Sequence, residues 1–433
     1  MNVVELIERK RDGDRFSDEE IRDLIAGYTA GDVPDYQMSA LAMAIVWRGM
    51  DVAELATWTE AMLNSGDVMD LSSVSMPKVD KHSTGGVGDK ISLPLAPLVA
   101  ACGVAVPMMS GRGLAHTGGT IDKLESIPGF RVDVDPDMIP ALLAETGVVM
   151  AGATSTLVPA DQRLYALRDA TGTVPSIPLI TSSIMSKKLA EDLDGLVLDV
   201  KVGNGASMRD ADAMEELART MVAVGAAYGT PVTAFMTDMS QPLGEEVGNA
   251  NEMAESIEVL KGAGPADVIE LTVAFGAEML RLGGVAADEA DGRGQIQAAI
   301  DSGRGVEILE RVIEAQEGDP RVVLDPSLLP SAPGKFVLEA RDSGTVNVCH
   351  ARRIGVAGVR LGAGRASKDD EIDPGVGITV HAKVGDQVDP GDPLCTVTWR
   401  DEGRLANALE LLESAWELGG DIAPPPLIHD RLS

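Results

Sequence analysis

From about residue 74 onward, short apolar runs that end in Gly, Ser or Asp alternate with segments of helical pattern. Residues 104–109, 148–151, 196–202 and 232–236 are the clearest strand candidates, and 74–79 precede the first of two glycine-rich loops. Such alternation predicts a mainly parallel sheet with helices on its faces, an α/β architecture. Ligands of such sheets lie beyond the carboxyl ends of the strands.

Both glycine-rich loops stand at such ends. The first reads Lys81-His82-Ser83-Thr84-Gly85-Gly86-Val87-Gly88-Asp89-Lys90-Ile91-Ser92, and the second Ser110-Gly111-Arg112-Gly113-Leu114-Ala115-His116-Thr117-Gly118-Gly119-Thr120. Each passes into a segment that can open a helix. Glycine lets a backbone approach a ligand and aim its N–H groups at it. A helix N-terminus favours an anion. Lys81 supplies charge, and Ser83, Ser92, Ser110 and Thr120 supply hydroxyl donors. One loop alone reads equally well as a tight turn; the two together point to bound phosphate. His82 is placed to protonate or hydrogen-bond a leaving group near neutral pH, or simply to cap the loop. His116 reads as packing, and His350, His381 and His429 as surface or packing residues.

A third constellation is Tyr165, Arg168, Ser183 and Lys187. Arg168 follows Tyr165 by one helical turn, as Lys187 follows Ser183, so each pair shares a helix face. Arg, Ser and Lys together can read the carbonyls and N–H of a flat heterocycle. Spacing alone would equally fit ordinary surface charge. Asp199, Asp238 and Glu255 are scattered acids without ligand spacing, so no metal and no cofactor is expected. Signatures of other enzyme classes, such as a Walker lysine, are missing.

The chain has 433 residues, 45% of them hydrophobic, enough for two or three domains. Its formal charge of −32 makes a polyanion such as nucleic acid an unlikely partner by long-range repulsion. Aromatic residues are 3%, which argues against stacking-based recognition of bases in a strand. Cys102, Cys349 and Cys395 fit neither a disulfide framework nor a zinc site, which suits a reducing compartment. Neither a signal peptide nor an apolar run of membrane-spanning length is visible, so a cytoplasmic protein is expected.

The first 65 residues read as three helices. Ser17 and Glu20 have capping-box spacing, with Phe16 and Ile21 as a hydrophobic staple. Further helices are expected over 36–48, stopped by Gly49, and 52–64. Residues 160–169 and 182–192 look helical and interrupt the strand–helix alternation. They are expected to rejoin the N-terminal helices. The predicted organisation is a helical domain (1–68 and 160–192), an α/β domain (69–159 and 193–330) and a C-terminal α+β domain (331–433). The last is β-rich and is expected to end in a helix over 406–418 and a proline tail. It faintly resembles carrier domains but lacks a lysine at an obvious hairpin tip, so a packing role is expected.

These segments closely resemble the thymidine phosphorylase and pyrimidine-nucleoside phosphorylase family. The carrying motifs are the two loops, extended to Ile121-Asp122-Lys123-Leu124-Glu125, together with Pro159-Ala160-Asp161, Tyr165-Ala166-Leu167-Arg168-Asp169 and Ser182-Ser183-Ile184-Met185-Ser186-Lys187-Lys188. Leu198-Asp199-Val200-Lys201-Val202-Gly203, Gln241-Pro242-Leu243-Gly244 and Leu361-Gly362-Ala363-Gly364-Arg365 extend the match over nearly the whole chain. The resemblance implies reversible phosphorolysis of a pyrimidine 2′-deoxynucleoside to free base and 2-deoxy-α-D-ribose 1-phosphate, with phosphate as co-substrate. It implies that Lys81, Ser83, Ser92, Ser110 and Thr120 hold phosphate. Arg168, Ser183 and Lys187 would hold the pyrimidine, with Tyr165 nearby, and His82 would contact or protonate the departing base. It also implies a homodimer formed through the helical domain, and a cleft that closes between domains.

Three positions bear on the match. Met108 looks like the thymidine-selective branch, whereas the broad branch, which also uses uridine, tends to have lysine there. Ala115 stands where glycine is usual, and Ser207 where many relatives have a larger side chain near sugar and base. Some bacterial relatives bind potassium near Gly88, Leu243 and Glu255; here Lys90 is expected to put its ammonium in the ion's place and pair with Glu255 or another acid. A phosphoribosyltransferase, which would leave the Tyr165–Lys187 base-site set unexplained, and a non-catalytic binding protein, against which all the matched site residues are present, are the rival readings.

Overall fold

The computed structural model describes residues 2–113, 116–152, 154, 156–208, 210–365 and 370–433. Four helices come first: α1 (Val3–Asp12), α2 (Asp18–Ala30), α3 (Asp35–Arg48) and α4 (Val52–Leu63). The Ser17–Glu20 capping box forms as expected, and Phe16 and Ile21 are both buried in the same cluster. Sequence reading missed α1, whose charge hides a narrow buried face of Val3, Leu6 and Lys10. Lys10 is buried because its ammonium meets Glu54 of α4 at 2.8 Å and lies over the Phe16 ring. Asn2 caps the start of α1, and Gly13, in the left-handed region, ends it.

The α/β part follows. It contains β1 (Val79–Ser83), α5 (Ser92–Ala101), β2 (Val106–Ser110), α6 (Thr120–Leu124), α7 (Ile139–Thr146) and β3 (Val148–Gly152). Then come α8 (Pro159–Thr171), α9 (Ile177–Leu189), β4 (Gly195–Val202), α10 (Ala211–Ala227) and β5 (Val232–Asp238). The strand expected over 74–79 instead begins at Val79 and runs through Lys81, His82 and Ser83. These three residues are therefore held on a strand rather than in a loop.

β1, β4 and β5 pair in parallel, and β2 pairs in parallel with β3. A parallel bridge between Lys78 and Ala105 joins the two groups, giving the strand order β3-β2-β1-β4-β5. Successive connections run away from β1 on one side and away from β4 on the other. The carboxyl ends of β1 and β4 therefore form the topological switch point at which such sheets bind ligands.

Helices α8 and α9 pack against α2, α3 and α4, as expected for a discontinuous helical unit. Their apolar residues Leu164 and Leu179 share a core with Leu24, Leu41 and Trp58. The chain continues with β6 (Glu246–Gly248), α11 (Ala250–Leu260), α12 (Ala266–Leu282), α13 (Glu289–Asp301) and α14 (Arg304–Ala315). The last unit holds β7 (Gly334–Glu339), β8 (Gly344–Cys349), α15 (Ala351–Leu361), β9 (Gly377–Val380), β10 (Gln387–Val388), β11 (Pro393–Trp399), α16 (Glu402–Leu412), β12 (Trp416–Gly419) and β13 (Ile428–Leu432).

The helix expected over 406–418 is displaced. It occupies Glu402–Leu412, capped by Asp401, and Trp416–Gly419 instead pairs with β8. The proline tail does not end the fold either. β13 pairs antiparallel with β5 and extends the central sheet. In exchange, β6 from the α/β part edges the C-terminal sheet, whose order is β6-β9-β11-β7.

One buried cation ties these parts. Lys90 Nζ lies 2.5 Å from Glu255 Oε2 and donates to the carbonyls of Leu243 and Glu246, both at 2.9 Å. The expected pairing with Glu255 is thus present. Gly88 permits it: φ is +71°, and a Cβ there would fall 2.4 Å from the Leu243 carbonyl oxygen. Burial alone would lower the pKa of Lys90, but Glu255 and Glu252 hold it raised, so the ammonium stays charged. Removing it leaves Glu255 buried without its partner, which costs about 3 kcal/mol or more. Lys90→Ala should therefore lower the melting temperature, and potassium, but not a much larger monovalent cation, should restore part of the loss. Equal melting with and without potassium would show that the space does not accept a free cation.

Candidate active site

The β1–β4 register builds the first half of the site. Lys81 pairs with Val197 and Ser83 with Asp199, so Lys81, Ser83, Asp199 and Lys201 share one face of the sheet. Lys81 Nζ is buried, 3.4 Å from Asp199 Oδ2 and 3.8 Å from Asp89 Oδ1, and 5.7 Å from the centre of the Phe275 ring. Lys201 Nζ lies 2.6 Å from Asp199 Oδ2 and 3.9 Å from Asp89 Oδ2. Lys81 Nζ, Lys201 Nζ, Asp89 Oδ1 and Asp199 Oδ2 are all buried, and none makes a well-directed hydrogen bond. Their bonding capacity is open to a ligand with matching oxygens.

Ser83 donates to Asp89 Oδ2 at 2.5 Å and accepts from the Gly85 N–H at 3.1 Å. Burial would push the Asp89 carboxyl up, but Lys201, Lys81, Ser83 and Lys123 hold it well below the usual carboxylate range. The second loop abuts the first. Lys123 of α6 donates to the Asp89 carbonyl at 2.6 Å and pairs with Glu252 at 2.7 Å. Within the second loop Gly113 and Gly119 lie backbone on backbone, and a Cβ on Gly119 would fall 2.0 Å from Gly113 N. Ser92 opens α5, Ser110 closes β2 and Thr120 opens α6. These three thus stand at the mouths of the same loops, although no hydrogen bond joins their hydroxyls to Lys81 or Ser83.

The second half lies on α8 and α9. Lys187 Nζ donates to Ser183 Oγ at 3.1 Å, pairs closely with the Asp161 carboxylate, and lies 6.0 Å from the centre of the Tyr165 ring. Tyr165 is 37% exposed, so the group faces open space. Arg168 is different. Its guanidinium is buried and donates to the carbonyls of Thr173 at 3.3 Å, Val174 at 2.7 Å and Leu179 at 2.8 Å. It clamps the connector between α8 and α9, a structural task that helical spacing does not reveal, and keeps only part of its donor set for a ligand. Burial pulls its pKa down to about 10, still far above neutrality.

His82 lies between the halves. Burial holds its pKa well below the ordinary histidine value, and Lys188, Lys187 and Lys81 add repulsion that outweighs the attraction of Asp89. The ring is therefore neutral at neutral pH and presents one N–H donor and one acceptor. His116, read as packing, donates a ring N–H to the Gly205 carbonyl at 2.9 Å and so fastens the second loop to the segment after β4. His350 caps α15, and His381 pairs with Thr396. Ser207 is exposed, Met108 is wholly buried in the main core, and Ala115 lies outside the described residues.

Asp199, Lys201, Asp89 and Asp161 escaped the sequence reading as site residues. A signal existed for two of them. Asp199 and Lys201 alternate on a strand that ends in glycine, which puts both charges on one face beside β1. Asp161 gave none, because Lys187 is distant in sequence, and Asp89 gave none, because a glycine-rich loop has no periodicity to show that it turns back onto Lys81 and Ser83.

Comparison with known proteins gives matches along most of the chain. A family profile described as "Glycosyl transferase family, helical bundle domain" matches residues 4–66, and one described as "Glycosyl transferase family, a/b domain" matches 75–306. A third, "Pyrimidine nucleoside phosphorylase C-terminal domain", matches 345–419. The chain is 50% identical over 429 residues to the pyrimidine-nucleoside phosphorylase of Staphylococcus haemolyticus, covering 99% of both. It is 48% identical over 433 residues to that of Geobacillus stearothermophilus, covering all of both. The fold is also that of anthranilate phosphoribosyltransferase from Thermus thermophilus, with a TM-score of 0.57 at 19% identity over 73% of this chain and 99% of that one. With family-specific profiles and half-identical relatives spanning its whole length, the chain belongs to the pyrimidine-nucleoside phosphorylase family.

Proposed function

We propose that the protein catalyses reversible phosphorolysis of thymidine and deoxyuridine, with inorganic phosphate as co-substrate, in cytoplasmic pyrimidine salvage and catabolism. The observation that carries this reading is the buried Lys81 ammonium, without a directed hydrogen bond, at the β1–β4 switch point, with neutral His82 between it and Ser183–Lys187. A phosphate oxygen attacks C1′ from the face opposite the base. The C1′–N1 bond breaks, its electron pair leaves with the pyrimidine, and the sugar configuration inverts. Lys81, Ser83, Ser92, Ser110 and Thr120 hold the nucleophile. Tyr165, Arg168, Ser183 and Lys187 hold the base, where two cations stabilise the charge growing on its ring. Asp89 and Asp199 keep Lys81 and Lys201 compensated until phosphate arrives.

Met108 supports selectivity for deoxynucleosides, since a buried thioether offers no donor to a ribose 2′-hydroxyl. Phosphate-dependent release of base should be fast from thymidine and deoxyuridine and at least ~10-fold slower from uridine, the scale of one unmade hydrogen bond. Comparable kcat/KM on uridine would move the protein to the broad-specificity branch, and no release from any nucleoside would favour a binding role.

His82 acts as a neutral donor rather than as an imidazolium acid. Its pKa is depressed, so the working form persists from acid-neutral to alkaline pH, and kcat/KM should show no His82 titration between roughly pH 6.5 and 8. His82→Ala should lower kcat by ~10²-fold, and His82→Asn, which keeps an N–H, should recover part of the loss. An acidic limb near the ordinary histidine value that vanishes in His82→Ala would show that the cation is the working form.

A homodimer completes the proposal. On α3, Tyr36, Met43 and Trp47 are 75%, 39% and 80% exposed and, with Ala40, form one apolar stripe at helical spacing. A stripe of this kind marks an interaction face, and a two-fold contact lets a second copy cover it with the same residues. Light scattering should give twice the chain mass for the wild type and the monomer mass for Trp47→Asp. A wild-type monomer would leave the stripe without this role.

A further inference from the structure

A second buried charge cluster lies behind the site. Lys188 Nζ on α9 is 2.6 Å from Asp80 Oδ2 on β1, and 2.8 and 3.1 Å from the two carboxylate oxygens of Glu191. It also donates to the Met109 carbonyl on β2 at 2.9 Å. All three side chains are buried, at 2% exposure or less. One ammonium facing two carboxylates leaves a net negative charge where water does not reach, and such a cluster keeps a proton instead. Burial and the nearby Asp80 push Glu191 well above the usual carboxylate range against the pull of Lys188, so Glu191 holds that proton. Lys188 is pushed up to about 12: burial lowers it, but Asp80 and Glu191 outweigh burial.

Two of these contacts, and Lys188 itself, adjoin residues assigned above to substrate. Asp80 precedes Lys81 and shares its strand face with His82, and Met109 precedes Ser110. Lys188 follows Lys187 on the same helix, turned by about 100°. One turn of α9 therefore presents Lys187 to the ligand and Lys188 to the sheet. His82 is faced by Lys188 and Lys187 from α9, by Asp89 from the first loop and by Lys81 on its own strand, and Lys188 is its strongest charged neighbour.

We propose that Lys188 is a positioning residue that locks the base-binding helix onto β1 and β2, and that its fixed charge adds to the burial that disfavours a His82 cation. The kinetic part of this proposal rests on the phosphorylase reading; the electrostatic part does not. The test uses the full-length protein carrying Lys188→Met, with ring nitrogens of 15N-histidine followed by NMR across pH and His82 assigned through His82→Asn. Loss of the ammonium should raise the His82 midpoint by about one pH unit or more. It should also lower kcat/KM for thymidine ~10-fold or more, with KM for the nucleoside rising more than KM for phosphate. A folded variant with a lower melting temperature, an unmoved His82 midpoint and kinetic constants within about twofold would reduce Lys188 to a packing role and overturn the proposal.

Should Lys188→Met fail to fold, Asp80→Asn takes its place. It cuts the tie to β1 while Glu191 ionises and keeps Lys188 compensated, so KM for the nucleoside should rise with the His82 midpoint not raised. No change in that KM would overturn the proposal. A raised His82 midpoint in Lys188→Met, in a protein whose wild type cleaves no nucleoside, would reject the phosphorylase reading yet uphold the electrostatic role. Normal wild-type phosphorolysis with an indifferent Lys188→Met would do the reverse.

Discussion

The register between β1 and β4 is the constraint on which the site depends. It sets Lys81 and Ser83 against Asp199 and Lys201 on one sheet face, at the point where the strand order turns away in both directions. Four buried charges meet there, Lys81, Lys201, Asp199 and, from the first loop, Asp89, and they are tolerated because they compensate one another. A slip of one residue between β1 and β4 would turn Lys81 and Ser83 to the face opposite Asp199 and Lys201. Strand pairing thus fixes not only the sheet but also the charge geometry available to an incoming anion.

The two halves of the site are positioned by different means. The proposed phosphate side is sheet and glycine loop, where Gly113 and Gly119 touch backbone to backbone and Lys123 pins one loop to the other. The proposed base side is a pair of helices whose connector is held by the Arg168 guanidinium. His82 belongs to the first half by chain and to the second by electrostatic environment, since two of the three lysines that discharge it lie on α9. The same residue therefore reports on how the halves sit together.

Much of the architecture was legible in the residues. Alternation of apolar runs with helical segments predicts the parallel sheet, and Ser17 with Glu20 predicts the start of α2, because both signals are local. Elements that depend on distant partners were not legible. The buried face of α1 relies on Lys10 finding Glu54, so its pattern reads as a charged tail. Residues 416–419 form a strand because β8 is there to pair with them, and 428–432 because β5 has a free edge. At the site, motif resemblance pointed to the hydroxyls and to Lys81, Arg168 and Lys187, but not to Lys201 or to the acids that face these cations. Charge compensation is a property of three-dimensional proximity, and Asp89 carries no mark in the sequence of the lysines it faces.

The exchange of β6 and β13 between sheets has a bearing on how this chain can be divided or extended. A cut near residue 331 would strip an edge strand from each of the two sheets, so neither piece would keep a finished edge. The C-terminal unit is consequently stitched into the central sheet rather than hung from it, even though it contributes none of the proposed site residues. Its last strand is anchored by Arg431, which pairs with Glu278 and with Glu289 and packs its guanidinium over Phe235. An affinity tag or a fused partner added after Ser433 would emerge directly from this seam. The same addition at the N-terminus would leave from α1, a helix of the N-terminal bundle that takes no part in this exchange, and would leave the seam closed.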